Sequence, residues 1–145
     1  MLKLLPALAF LLLSVSGALA APVTLLALGD SLTAGYGLPP SDAFPVKLEA
    51  ALRARGHDVK VINAGVAGDT ALDGASRLDW ALSDDVDAVI VELGANDALR
   101  GLPVPQAEQA LDQLLGQLAE KKLPVLLAGM RAPPNLGDRK STRLN

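Results

Sequence analysis

Apolar residues along this chain follow two alternating patterns: short runs, and longer stretches in which they recur every three or four positions. Residues 23–28 form the first run, closed by Gly29, as in a central parallel strand buried on both faces. Residues 29–40 hold Gly35, Gly37, Pro39 and Pro40 and read as a loop. Ser41 then caps a predicted helix with Phe44, Leu48, Ala51 and Leu52 on one face and Gly56 as its stop, placed to cover one face of a sheet. Residues 58–62 are a second strand, and residues 63–70 a glycine-bearing loop at its carboxyl end. Residues 71–82 read as one helix, with Leu72, Ala75, Leu78 and Leu82 inward and Trp80 at its edge. A third strand covers 86–93, with the charge of Glu92 near its end, and a loop follows over 94–105. The spacing of Ala107, Ala110, Leu111, Leu114, Leu115 and Leu118 predicts a helix over 106–121, ending at Lys121 and Lys122 where cations suit its negative pole. Residues 124–128 are a fourth strand, and Gly129 opens its loop.

Strand and helix alternating four times with short connections predict an α/β fold, a three-layer α/β/α sandwich around a parallel sheet. Ligand chemistry in such folds collects beyond the carboxyl ends of the strands. Those ends deliver Gly29-Asp30-Ser31, residues 65–69, residues 94–97, and Met130 with Arg131.

The chain has 145 residues, no cysteine, one histidine and a formal charge of −3, with half its residues hydrophobic and 3% aromatic. This suits one compact domain with an aliphatic core and excludes a disulfide scaffold, a thiol nucleophile and cysteine-based metal sites. The 13 Lys and Arg are scattered rather than gathered in a basic stripe, which argues against a nucleic-acid partner. Residues 1–20 combine Lys3, an apolar centre and a small-residue end at Ala18-Leu19-Ala20, the layout of a cleaved secretory signal. Cleavage after Ala20 removes Lys3, leaves a charge of −4 and no stable membrane span, and implies a periplasmic or secreted protein. An uncleaved anchor is the alternative, weakened by Pro6, Ser14, Ser16 and Gly17.

Three positions at the strand ends carry candidate chemistry. Ser31 is a hydroxyl nucleophile if a base takes its proton and donors receive the oxyanion; taken alone it also reads as a helix cap. Gly68 lies in a loop whose backbone N–H approaches a ligand unobstructed, or which simply makes a tight turn. Asn96 offers a neutral amide donor to an oxyanion, with Asp97 and Arg100 near enough to bridge and fix its loop; an Asx-turn is the plainer reading. His57, the only histidine, falls at the amino end of the second strand, away from Ser31, as a surface residue at a helix stop. Asp30, Asp69, Asp73 and Asp97 raise a Mg²⁺ site only weakly, being ordinary turn residues. No phosphate loop, dinucleotide fingerprint or G-x-S-x-G elbow is present, so no cofactor is expected.

The blocks GDSLTAGYGLP (29–39), NAGVAGDT (63–70) and ELGANDALRG (92–101) resemble those of the GDSL esterases, or SGNH hydrolases, in their arylesterase, thioesterase I and lysophospholipase L1 branch. The resemblance runs from about residue 23 to 137. It implies a flavodoxin-like SGNH-hydrolase fold and cofactor-free hydrolysis of small acyl esters or thioesters through a serine acyl-enzyme, by a monomer. It assigns Ser31 as the nucleophile and Gly68 and Asn96 as oxyanion donors beside the Ser31 N–H. The family's late Asp-x-x-His block, which supplies its base, is not in this chain. Residues 138–145 depart from the family pattern and read as a junction artefact. On that reading residues 21–137 are an incomplete domain, without its last strand and helix, and inactive for lack of the Asp-His pair. Two other readings stand: a carbohydrate O-acetyl esterase using the same residues, and a non-catalytic lipid- or glycan-binding domain.

Overall fold

The computed structural model describes residues 21–130. The signal assigned to residues 1–20, Arg131 and the tail from 138 lie outside them. Four parallel strands form one sheet in the order β2-β1-β3-β4: β1 Val23–Gly29, β2 Val59–Gly65, β3 Ala88–Glu92 and β4 Val125–Leu127. The register pairs Gly29 with Gly65 on one side and with Glu92 on the other, so three strand ends finish level. Parallel neighbours require crossovers, and the helices supply them: α2 Phe44–Ala54, α3 Ala71–Ser76, α4 Leu78–Ala81 and α6 Val104–Glu120.

One face of the sheet is closed by α3, α4 and α6. Leu26 and Leu28 of β1 and Val89 and Val91 of β3 pack there with Ala75, Leu78, Leu111, Leu114 and Leu118, all buried. The strict helical spacing of α6 places its five buried residues on a single stripe. On the opposite face α2 packs chiefly on β2, with a short α1, Ser31–Ala34, over the sheet's carboxyl end. There Ile90 is half-buried, and its register partner Leu126 is 64% exposed. The expected sandwich is present. Among the described residues no helix is long and apolar enough to cross a membrane.

Several local expectations are corrected. The single helix over 71–82 is two helices interrupted at Arg77 (φ −105, ψ 7), and the interruption turns Leu72 outward at 46% exposure. Trp80 covers no edge; it is 86% exposed. Helix α2 begins at Phe44 after Ala43 rather than at a Ser41 cap, and Phe44 and Ala51 are exposed. Residues 40–42, Pro40–Asp42, form a separate 3-10 turn. The loop 29–40 contains α1, and the loop 94–105 contains α5, Ala95–Leu99. Strand β2 continues through Asn63 and Ala64 to Gly65, because its pairing with β1 runs to Gly29.

Candidate active site

The site grows from the point where β1 turns into α1. Asp30 is fully buried and caps α1: its Oδ1 accepts the Leu32 N–H at 2.9 Å. Capping thus falls to Asp30, and Ser31 becomes the first residue of the helix, with its hydroxyl not used as a cap. The turn tolerates no extra atoms. A Cβ on Gly29 would lie 2.1 Å from Thr33 Oγ1, and one on Gly65 would lie 2.2 Å from the Ala34 nitrogen.

The second loop is tied to this turn by its backbone. Val66 N–H donates to Gly29 O at 3.0 Å, and Asp69 N–H to Val66 O at 3.2 Å. Gly68 has φ +92, a left-handed conformation that favours glycine, and its carbonyl accepts a hydrogen bond from Arg100 Nη2. The loop then ends in a capping box: Thr70 Oγ1 accepts the Asp73 N–H at 3.2 Å while Asp73 Oδ2 accepts the Thr70 N–H at 3.0 Å. These contacts hold the Asp73 carboxyl below the ordinary aspartate value, the Thr70 backbone bond contributing most.

Asn96, on α5, joins the two. Its Nδ2 donates to Asp30 Oδ2 at 3.1 Å and to Asp69 O at 2.9 Å, bonding the neighbour of Ser31 and the neighbour of Gly68 at once. The three predicted positions are therefore brought to one place. Asp97 and Arg100 do not bridge each other. Asp97 Oδ2 instead accepts the Ala71 N–H at 2.8 Å, fixing the start of α3, and Arg100 reaches Gly68. His57 is exposed and precedes the amino end of β2, whereas Ser31 follows the carboxyl end of β1. Asp30, Asp69, Asp73 and Asp97 all hold protein donors, and among the described residues no cluster of His, Cys, Asp or Glu is arranged to hold a metal ion.

Two residues to which the sequence assigns no role also shape the site. Arg77, at the break between α3 and α4, donates from Nε to Asp69 Oδ2 at 2.6 Å and from Nη2 to Gly29 O at 3.0 Å and Ala64 O at 2.9 Å. It gathers β1, β2 and the Gly68 loop in one clamp. Its sequence signal is one charge among three, with Asp73 and Asp79, in the helical stretch 71–82. Glu92 accepts from Thr33 Oγ1 at 2.9 Å through Oε2. Burial pushes its carboxyl above the ordinary glutamate value, the Asp30 charge adds to this, and the Thr33 hydroxyl opposes it. Beside the Ser31 turn, Leu32, Thr33, Phe44, Ile90, Glu92 and Ala128 line a mostly apolar cleft of about 270 Å³.

A doubly wound α/β domain with a serine turn, a glycine loop and an asparagine at three strand ends is the architecture of SGNH hydrolases, and known proteins agree. Residues 27–145 match the GDSL-like Lipase/Acylhydrolase family, and the chain belongs to that family. It is 40% identical over 142 residues to an arylesterase of Vibrio mimicus, an alignment covering 97% of this chain and 70% of that protein. It is 41% identical over 121 residues to the thioesterase 1/protease 1/lysophospholipase L1 of Escherichia coli strain K12, covering 83% of this chain and 57% of that protein. Among solved structures it resembles AlinE4, an SGNH-hydrolase family esterase, with a TM-score of 0.81 and 46% identity over 86% of this chain and 67% of that one.

Proposed function

We propose that this chain carries the nucleophile and oxyanion donors of a serine ester hydrolase acting on small acyl esters or thioesters. The observation that carries the reading is the Asn96 amide, bonded to Asp30 beside Ser31 and to Asp69 beside Gly68. Ser31 Oγ attacks the acyl carbonyl, and the tetrahedral oxyanion is received by the Ser31 and Gly68 N–H groups and by Asn96 Nδ2. Collapse forms an acyl-enzyme and expels the alcohol or thiol; water then releases the acid. The apolar cleft beside Leu32 supplies a surface for acyl carbons.

A base is required to take the Ser31 proton, and His57 is at the wrong end of the sheet to do so. Added imidazole supplies such a base from solution. Residues 1–20 support export to the periplasm or beyond, which N-terminal sequencing of exported protein tests directly.

Turnover of nitrophenyl esters of short and long acyl chains, an acyl thioester and an acetylated sugar tests the reading. The expected result is turnover of the nitrophenyl esters and the thioester that rises with added imidazole and disappears in Ser31→Ala. Activity confined to the acetylated sugar selects the carbohydrate O-acetyl esterase instead. A binding-only domain is one further reading, because His57 lies at the far end of the sheet from Ser31; ligand retention unaffected by Ser31→Ala, with no Ser31-dependent turnover, would establish it.

A further inference from the structure

Glu92 is the ionisable group beside Ser31 that the proposed reaction leaves unused. It ends β3 opposite Gly29 in register and forms part of the wall of the apolar cleft. Its Oε2 is occupied by the Thr33 hydroxyl at 2.9 Å, but its Oε1 is buried and has no hydrogen-bond partner among the described residues. A buried carboxyl oxygen left this way is costly unless it carries a proton with somewhere to go.

Asp30 follows Gly29, the register partner of Glu92, and its carboxyl is fully buried. Asp30 already accepts two donors, Leu32 N–H at 2.9 Å and Asn96 Nδ2 at 3.1 Å. On Glu92 the Thr33 hydroxyl takes Oε2, and Oε1 is left without a donor beside a mostly apolar cleft. Glu92 Oε1 is thus the carboxyl oxygen that lacks a donor and is placed to carry a proton. No neighbouring cation offsets this. Arg77 is directed to Asp69, Gly29 O and Ala64 O, and Arg100 to Gly68 O. On α2, Lys47 pairs with Asp42, and Glu49 with Arg53 and the Val61 N–H; on α5, Asp97 is held by the Ala71 N–H.

We propose that Glu92 is a positioning residue for the Ser31 turn: its Oε1–H donates to the Asp30 carboxylate, giving Asp30 a third donor that locks the Leu32 N–H and the Asn96 amide in place. The arrangement runs Thr33 to Glu92 to Asp30 to Asn96, so one proton couples the helix bearing Ser31 to the asparagine that faces it. Loss of that proton sets two carboxylates against each other and loosens both Asp30 bonds. The catalytic significance rests on the esterase reading; the hydrogen-bond chain does not.

The experiment is a pH titration of the full chain by NMR, following the Glu92 carboxyl carbon, the Leu32 amide and the Asn96 side-chain amide, in wild type, Glu92→Gln and Glu92→Leu. Wild type is expected to show all three moving together, with a midpoint above the ordinary glutamate value. Glu92→Gln, which still donates to Asp30, should hold Leu32 and Asn96 at their low-pH positions throughout, and Glu92→Leu should displace them at every pH. Titration of Glu92 at its ordinary value, or Leu32 and Asn96 failing to follow it, overturns the proposal, as does a leucine variant indistinguishable from the glutamine one. Should the leucine variant not fold, the wild-type titration and the glutamine variant decide the matter. Failure of the esterase reading is seen separately, as ester turnover that does not depend on Ser31.

Discussion

Arg77 and Asp69 form a 2.6 Å ion pair in which the two side chains keep only 17% and 12% of their surface exposed. The same guanidinium caps the carbonyls of Gly29 and Ala64, so the pair fastens the Gly68 loop to two strand ends. Removing one partner of such a pair strands the other charge in a poorly hydrated place. Arg77→Met is therefore expected to cost about 3 kcal/mol in urea unfolding. Arg77→Lys should lose less, since the ammonium still pairs with Asp69 but cannot span all three acceptors.

The close approach of α1 to β2 makes a second prediction. Gly65→Ala would place its Cβ 2.2 Å from the Ala34 nitrogen and 2.7 Å from its Cα, backbone atoms that cannot swing aside. Destabilisation of about 3 kcal/mol or more is expected, near the upper end for overpacked sites. Gly116→Ala on α6, where an added methyl meets nothing within 4 Å, should instead stabilise by about 0.5–1 kcal/mol. Thermal unfolding of the two variants side by side checks the contrast.

Thr70 and Asp73 cap α3 reciprocally, and Thr70→Ala should cost about 1 kcal/mol. The capping bonds lower the Asp73 pKa in the folded state, so this contribution is complete above the unfolded aspartate value. It is lost as pH falls through the folded one. Stability of Asp73→Asn measured across the acid range should show a shallower acid limb than wild type.

Glu92 acts in the opposite direction. Its folded-state pKa is raised, chiefly by burial, so the unfolded chain gives up this proton at a lower pH than the native one. Stability from this group is full below the unfolded glutamate value and declines as pH rises through the folded one. Glu92→Gln removes the decline, and denaturant midpoints compared between mildly acidic and neutral pH should converge in that variant.

The sheet and α6 were legible because each is long enough to show its period: strands as apolar runs, α6 as five buried residues on one stripe. The helices α1 and α5, of 4 and 5 residues, are too short to show one and were read as loop. The break at Arg77 is not written in the helical period of 71–82; its guanidinium reaches acceptors on the Gly68 loop, β2 and β1, 8, 13 and 48 residues away. Ser31, Gly68 and Asn96 were visible as polar or glycine residues at strand ends, but their linkage through the Asn96 amide appears only when the strands align. Glu92 stood out as a charge at a strand end; its pairing with Thr33 and Asp30 requires the register that sets Gly29 beside it. Thr70-x-x-Asp73 is a readable capping box that the helical periodicity of the following residues obscured.

Intact-mass analysis of the 145-residue chain exposed to an alkyl phosphonate ester, with and without imidazole, tests the central claim most directly. The account predicts one adduct per chain, mapped to the peptide containing Ser31, formed faster with imidazole and absent in Ser31→Ala. An adduct that persists in Ser31→Ala, or no adduct under either condition, would contradict it.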